Sequence, residues 1–146
     1  MKRKIAALLT ALTLMLGLTS CSVHRLPEGV SEEDAAKAGE AIVALLMAGD
    51  YQGVVDAFDP DMREKLALTA DQVELVMVPV LDAGTYECIY KIMTVGGKSS
   101  GYDGMYVTVG IYCEHEEKDI VYEMSFDTDL ELIGLTADQQ RKSLFG

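Results

Sequence analysis

The chain has 146 residues, with 24 Asp and Glu against 12 Lys and Arg for a net charge of −12. That length suits one hydrophobic core and is too short for two ordinary domains. So acidic a protein repels phosphate backbones, which excludes nucleic acid as a partner.

Lys2, Arg3 and Lys4 precede an apolar run from Ile5 to Leu18, with small polar residues behind it, the layout of an export signal over residues 1–20. The run falls short of the roughly 20 apolar residues that span a bilayer, so the retaining anchor must be something else. It closes on Leu18-Thr19-Ser20-Cys21, which resembles the bacterial lipoprotein signal. The resemblance implies cleavage before Cys21 and attachment of a diacylglyceryl group to its thiol, the nucleophile that forms a thioether. Two or more acyl chains of the palmitate kind hold a protein on a membrane where one does so only marginally. The expected location is the cell membrane, lipid-anchored on its extracytoplasmic face; the alternative is a secreted protein in which Cys21 is incidental. Without the three basic leader residues, nine Lys and Arg face 24 Asp and Glu, a net of −15. Contact with anionic lipid should therefore come from the acyl chains and not from the protein surface.

Residues 21–30 carry Pro27 and Gly29 without periodicity and read as a tether. Ser31, with Glu32, Glu33 and Asp34 behind it, opens a helix lined by Ala35, Ala38, Ile42, Leu45 and Leu46 and stopped at Gly49. Asp50 caps a short helix through Val54, Val55 and Phe58, and a third runs from about Asp61 to Leu66. Thr69 and Gln72 form a capping box for a fourth, burying Val73, Val76, Met77 and Val80, with Pro79 set to bend or shorten it before Gly84.

The period then changes to two. Residues 85–95 predict a strand with Tyr86, Cys88, Tyr90 and Ile92 on one side, and 96–104 a loop. Residues 105–114 alternate cleanly, as do 119–126, with Ile120, Tyr122, Met124 and Phe126 on the buried face; a short fourth strand covers 130–135. Residues 136–146 read as a short helix or a tail. Leu-Thr-Ala-Asp-Gln occurs at 68–72 and again at 135–139, which reads as reuse of a good helix start. Cys88 and Cys113 fall on consecutive strands and are candidates for a disulfide, the alternative being two small buried apolar residues. The fold class is α+β: N-terminal helices packed on a curved four-stranded antiparallel sheet.

Ala41-Ile42-Val43-Ala44-Leu45-Leu46 leading to Ala48-Gly49-Asp50-Tyr51, then Phe58-Asp59-Pro60-Asp61-Met62, resembles the DUF3887 family. The ending, Tyr122-Glu123-Met124-Ser125-Phe126-Asp127 and then Leu132-Ile133-Gly134-Leu135, is similar to that family's final hairpin. The resemblance covers roughly residues 35–135 of a domain placed at 31–135 and implies a cone similar to nuclear transport factor 2, with no agreed catalytic residues.

Two acidic groups, Asp56, Asp59 and Asp61, and Asp127, Asp129 and Glu131, lack the glycine and terminal glutamate of an EF-hand loop, and they read as caps and turns. His115 among glutamates, and Gly97-Lys98-Ser99 without its upstream glycine, make neither a zinc site nor a phosphate loop. No metal, cofactor or catalytic residue is expected. Tyr86, Tyr90 and Tyr122 are the candidate pocket lining, with core packing as the plainer role. The expected partners are the membrane, through the N-terminal lipid, and either a small apolar ligand or an envelope protein. The alternatives are an isomerase or dehydratase with a buried carboxylate beside a tyrosine, and a dimerising structural domain.

Overall fold

A computed structural model describes residues 25–99 and 101–140; residues 1–24, with the expected export signal, Cys21 and His24 among them, Ser100 and residues 141–146 lie outside them. The elements run α1 (Glu32–Met47), α2 (Tyr51–Ala57), α3 (Pro60–Lys65), α4 (Ala70–Val76), a 3-10 turn (Val78–Val80), then β1 (Tyr86–Lys98), β2 (Met105–His115), β3 (Asp119–Phe126) and β4 (Leu132–Gln140). The strands form one antiparallel sheet in the order β1-β2-β3-β4, and helices cover one of its faces: the α+β class that the residue pattern predicts.

The helix starts are built as their residues dictate. Ser31 Oγ accepts from the Asp34 N–H at 3.0 Å, Asp50 Oδ1 from Gly53 at 2.9 Å, and Asp59 Oδ1 from Met62 at 3.0 Å. Each satisfies a donor that a helix start leaves without an intrahelical partner. The Gln72 side chain reaches back to the Thr69 N–H at 2.9 Å. Pro79 shortens the fourth helix, which gives way to the 3-10 turn after Val76.

Gly39 sits mid-helix, where glycine costs about 1 kcal/mol relative to alanine. Its missing side chain lets α1 lie close on the sheet: a Cβ there would stand 2.9 Å from Val109 Cγ1 and 3.0 Å from Ile111 Cδ1. Under α1, Val107, Val109, Ile111 and Cys113 of β2 and Ile120, Tyr122, Met124 and Phe126 of β3 point inward, all fully or almost fully buried. Leu132 and Leu135 of β4 join them, opposite Ala35, Ile42, Leu46, Val54 and Val73 of the helices. Burying each such Leu, Ile, Val or Phe side chain contributes about 1.5–3 kcal/mol.

Three expectations change. β1 is longer than the pattern suggests, taking in Gly96 and Gly97, because the Tyr106 ring lies over Gly97 where any side chain would collide with it. The ladder between β1 and β2 shifts register between Tyr86 and Cys88 and again between Ile89 and Lys91, so strict alternation fails along that half of the strand. Finally, β4 continues through Gln140, so residues 136–140 are strand and not helix or tail. The second Leu-Thr-Ala-Asp-Gln thus lies wholly in β4, with Leu135 opposite Met124 and Ala137 opposite Tyr122, whereas the first opens α4.

Candidate binding face

The two register shifts separate Tyr90 from Tyr86 and Tyr122, the other residues expected to line a pocket. Tyr122 points inward and has no exposed surface. Tyr86, 37% exposed, stands at the start of β1 with its ring edge-on to His115, centroids 5.6 Å apart. Tyr90 points away from the helices, 51% exposed, its ring 6.2 Å from that of Tyr112. The cysteines part for the same reason. Cys88 lies opposite Glu114, exposed, with Sγ 3.9 Å from Glu114 Oε2, while Cys113 is buried opposite Ile89, and both thiols are free. Burial pushes the Cys113 thiol up to about 12, so it behaves as a small apolar residue and not as a nucleophile.

Tyr122 carries a buried hydroxyl with no hydrogen-bond partner among the described residues, and burial raises its pKa, with Cys113, Tyr86 and Tyr51 adding to the effect. His115 Nδ1 donates to the Gly84 carbonyl at 3.2 Å, which leaves the buried Nε2 without a partner among the described residues. A buried polar atom without a bond costs about 1–3 kcal/mol. Tyr122→Phe should therefore stabilise the domain by about 1 kcal/mol in urea unfolding; a loss of stability would mean that the hydroxyl is bonded.

On the sheet face away from the helices, Tyr90, Tyr112 and the buried Tyr106 project from β1 and β2, and Tyr102 of the loop between these strands meets Tyr106 edge-on with centroids 5.9 Å apart. Four of the seven tyrosines thus gather on this outer face. Met93, 44% exposed, lies beside them, and the Lys91 ammonium sits 5.0 Å from the Tyr112 ring centroid. Thr108 and Ser125 share a hydrogen bond between their hydroxyls at 3.1 Å. Toward the β3–β4 end, Tyr102, Tyr106, Ser125, Ile133 and Gly134 line a shallow depression open to solvent. At the other end the Tyr90 hydroxyl donates to Asp119 Oδ2 at 3.5 Å, and Asp119 Oδ1 is buried without a partner among the described residues.

The two acidic groups of the sequence meet in part. The Asp59 N–H donates to the Leu132 carbonyl at 2.8 Å, and Phe58 forms a parallel bridge with Leu132. Oxygens of Asp59, Asp127 and Glu131 consequently lie within 4.8 Å of one another. These are the residues that would hold a metal, since carboxylates suit hard cations. Two of them also serve the fold, for Asp59 caps α3 and Asp127 Oδ1 accepts from the N–H groups of Asp129 and Glu131, both at 2.9 Å. Burial, and then the charges of Asp59 and Asp129, raise the Asp127 pKa against those two bonds. A carboxyl raised on folding stabilises fully below its unfolded value and loses that contribution as pH climbs through the folded one. Asp127→Asn keeps the acceptor oxygen and removes the charge. It should make the domain more stable than wild type at pH 7 and leave it unchanged below about pH 4, near the unperturbed carboxylate value; chemical unfolding at the two pH values measures this.

The fold and its aromatic face define the class: a small α+β domain with helices on one side of an open sheet and Tyr90 and Met93 exposed on the other. The DUF3887 family, proteins of unknown function, matches over residues 39–135, and the chain belongs to it. No curated protein matches. A protein from Ruminococcus gnavus ATCC 29149, solved by NMR, has a similar fold, with a TM-score of 0.65 at 22% identity over 78% of this chain and 96% of that one.

Proposed function

We propose that this protein is a lipoprotein, held by acyl chains on Cys21 at the extracytoplasmic face of the cell membrane, and that its NTF2-like domain is a binding module that receives an envelope protein on the outer face of the sheet. The carrying observation is the contrast between the two faces. The helix side is a closed apolar core, whereas the outer side presents Tyr90, Met93 and Tyr112 to solvent or at its edge. Tyrosine and methionine are enriched at protein interfaces, where a large ring brings apolar area at little entropic cost. A small apolar ligand would need an open interior, and the side chains of Ile111, Tyr122, Met124 and Leu135 leave no accessible surface there. The catalytic alternative needs a carboxylate against a buried tyrosine; the Tyr90–Asp119 contact is at the surface instead.

The test is a photo-crosslinking amino acid placed at Tyr112, or at Val78 on the helical side, in the full-length protein in its own membranes. Adducts from position 112, resolved by mass spectrometry as one recurring envelope protein, are the expected result. Adducts from position 78 alone, or none from 112, would overturn the outer-face reading.

A further inference from the structure

The charges around the aromatic patch point to the chemistry of what binds it. Glu114 of β2, Asp119 and Glu123 of β3 and Asp138 of β4 lie on the outer face by register: Glu123 is opposite Gly110 and Thr136, and Asp138 is opposite Val121. Against these four carboxylates the same surface offers, among the described residues, one cation, Lys91, already placed over the Tyr112 ring. Asp119 is the most pointed case. One of its oxygens receives only a long bond from Tyr90, and the other is buried with no donor among the described residues. The oxygen a partner can compete for is Oδ2, held by Tyr90 only at 3.5 Å, and a guanidinium or ammonium supplies a stronger, charge-assisted donor for it.

We infer that the outer sheet face docks a basic, arginine- or lysine-bearing segment of a partner protein, with the apolar parts of that segment on Tyr90, Met93 and Tyr112 and its cations on Asp119, Glu123 and Asp138. This rests on the outer-face reading above and adds the partner's charge. The domain's overall acidity acts in the same direction, steering a cationic segment toward the surface before contact is made. Lys91 limits the choice, since its ammonium repels a cation placed directly over Tyr112 and directs the partner's charges to the β3 and β4 side of the patch.

The test uses the full-length protein in nanodiscs of zwitterionic lipid. The probes are acetyl-RLRLR-amide and acetyl-ELELE-amide, each with a diazirine on one leucine, with crosslinked residues read by mass spectrometry. The basic peptide should label the segments around Tyr90, Met93 and Tyr112. Its affinity should fall about tenfold when Asp119→Asn and Glu123→Gln are combined, as expected for losing two charge pairs, and should weaken as salt is raised. Equal labelling by the acidic peptide would overturn the inference. So would labelling confined to the region of Asp59, Asp127 and Glu131, or an unchanged affinity in the double variant. Should that variant not fold, the comparison of the two peptides and the salt dependence decide. A crosslink from position 112 in membranes, alongside failure of the basic peptide, would leave the binding face standing and remove only the charge of its partner.

Discussion

Cys21→Ser should abolish incorporation of a labelled fatty acid and release the protein from membranes at alkaline pH. The effect is close to all-or-none, because a hydroxyl does not replace the thiol in forming the thioether. The proposed export signal complicates the readout, since without acylation of Cys21 it would stay on the chain. Its apolar run from Ile5 to Leu18 is shorter than the roughly 20 residues a stable span requires, so it should hold the protein weakly compared with two or three acyl chains. Acyl incorporation is thus the primary measurement and extraction the secondary one. Continued labelling of the serine variant would place the lipid elsewhere on the chain.

Phe126→Ala should lower the unfolding free energy by about 3–5 kcal/mol, the usual range for a buried phenylalanine truncated to alanine. Phe126 is almost fully buried, opposite Val107 on one side and Leu132 on the other. It is also where the β3–β4 ladder shifts register and where the Phe58 bridge joins the helices to the sheet. Domains of this kind are stable by about 5–15 kcal/mol, so much of the margin would go. Val78→Ser, at a side chain 51% exposed, should change stability by less than about 0.5 kcal/mol. Urea midpoints of the two variants against wild type provide the check; equal, small shifts would mean that the core is not centred on Phe126.

How much of the fold is legible in the residues alone depends on whether the deciding interaction is local. Ser31, Asp50 and Asp59 announce helix starts because each side chain accepts from a backbone N–H three residues on, and Thr69 does so because its own N–H donates to the Gln72 side chain three residues on. The buried face of β3 is readable because a regular strand alternates. The β1 register shifts are not readable, since they depend on how the strand meets β2, and they undo both the tyrosine pocket and the disulfide pairing. The repeated Leu-Thr-Ala-Asp-Gln makes the same point within one chain. At 68–72 a capping box and an apolar helical face follow it, while at 135–139 the neighbouring β3 strand pairs with it residue by residue. Local propensity is a weak prior that such pairing overrides.

The candidate sites divide along the same line. Asp59, Asp127 and Glu131 come together through the Phe58–Leu132 bridge, a contact between residues far apart in the chain. The sequence groups Asp59 with Asp56 and Asp61, its neighbours along the chain, and misses the meeting. The outer aromatic face could have been anticipated at Tyr106 and Tyr112, which alternate against Val107, Val109, Ile111 and Cys113. It could not have been at Tyr90, which a bulge turns outward.

Hydroxyl-radical footprinting of the full-length protein, once in the membranes to which the proposed acyl chains would hold it and once purified, addresses the binding face most directly. Met93, Tyr90 and Tyr112 should be oxidised readily when the protein is alone and protected by severalfold in membranes, with Tyr86 and Leu81 reacting alike in both. Equal oxidation of Met93, Tyr90 and Tyr112 in the two preparations would mean that nothing covers the outer sheet in the envelope, and the module would need another working surface.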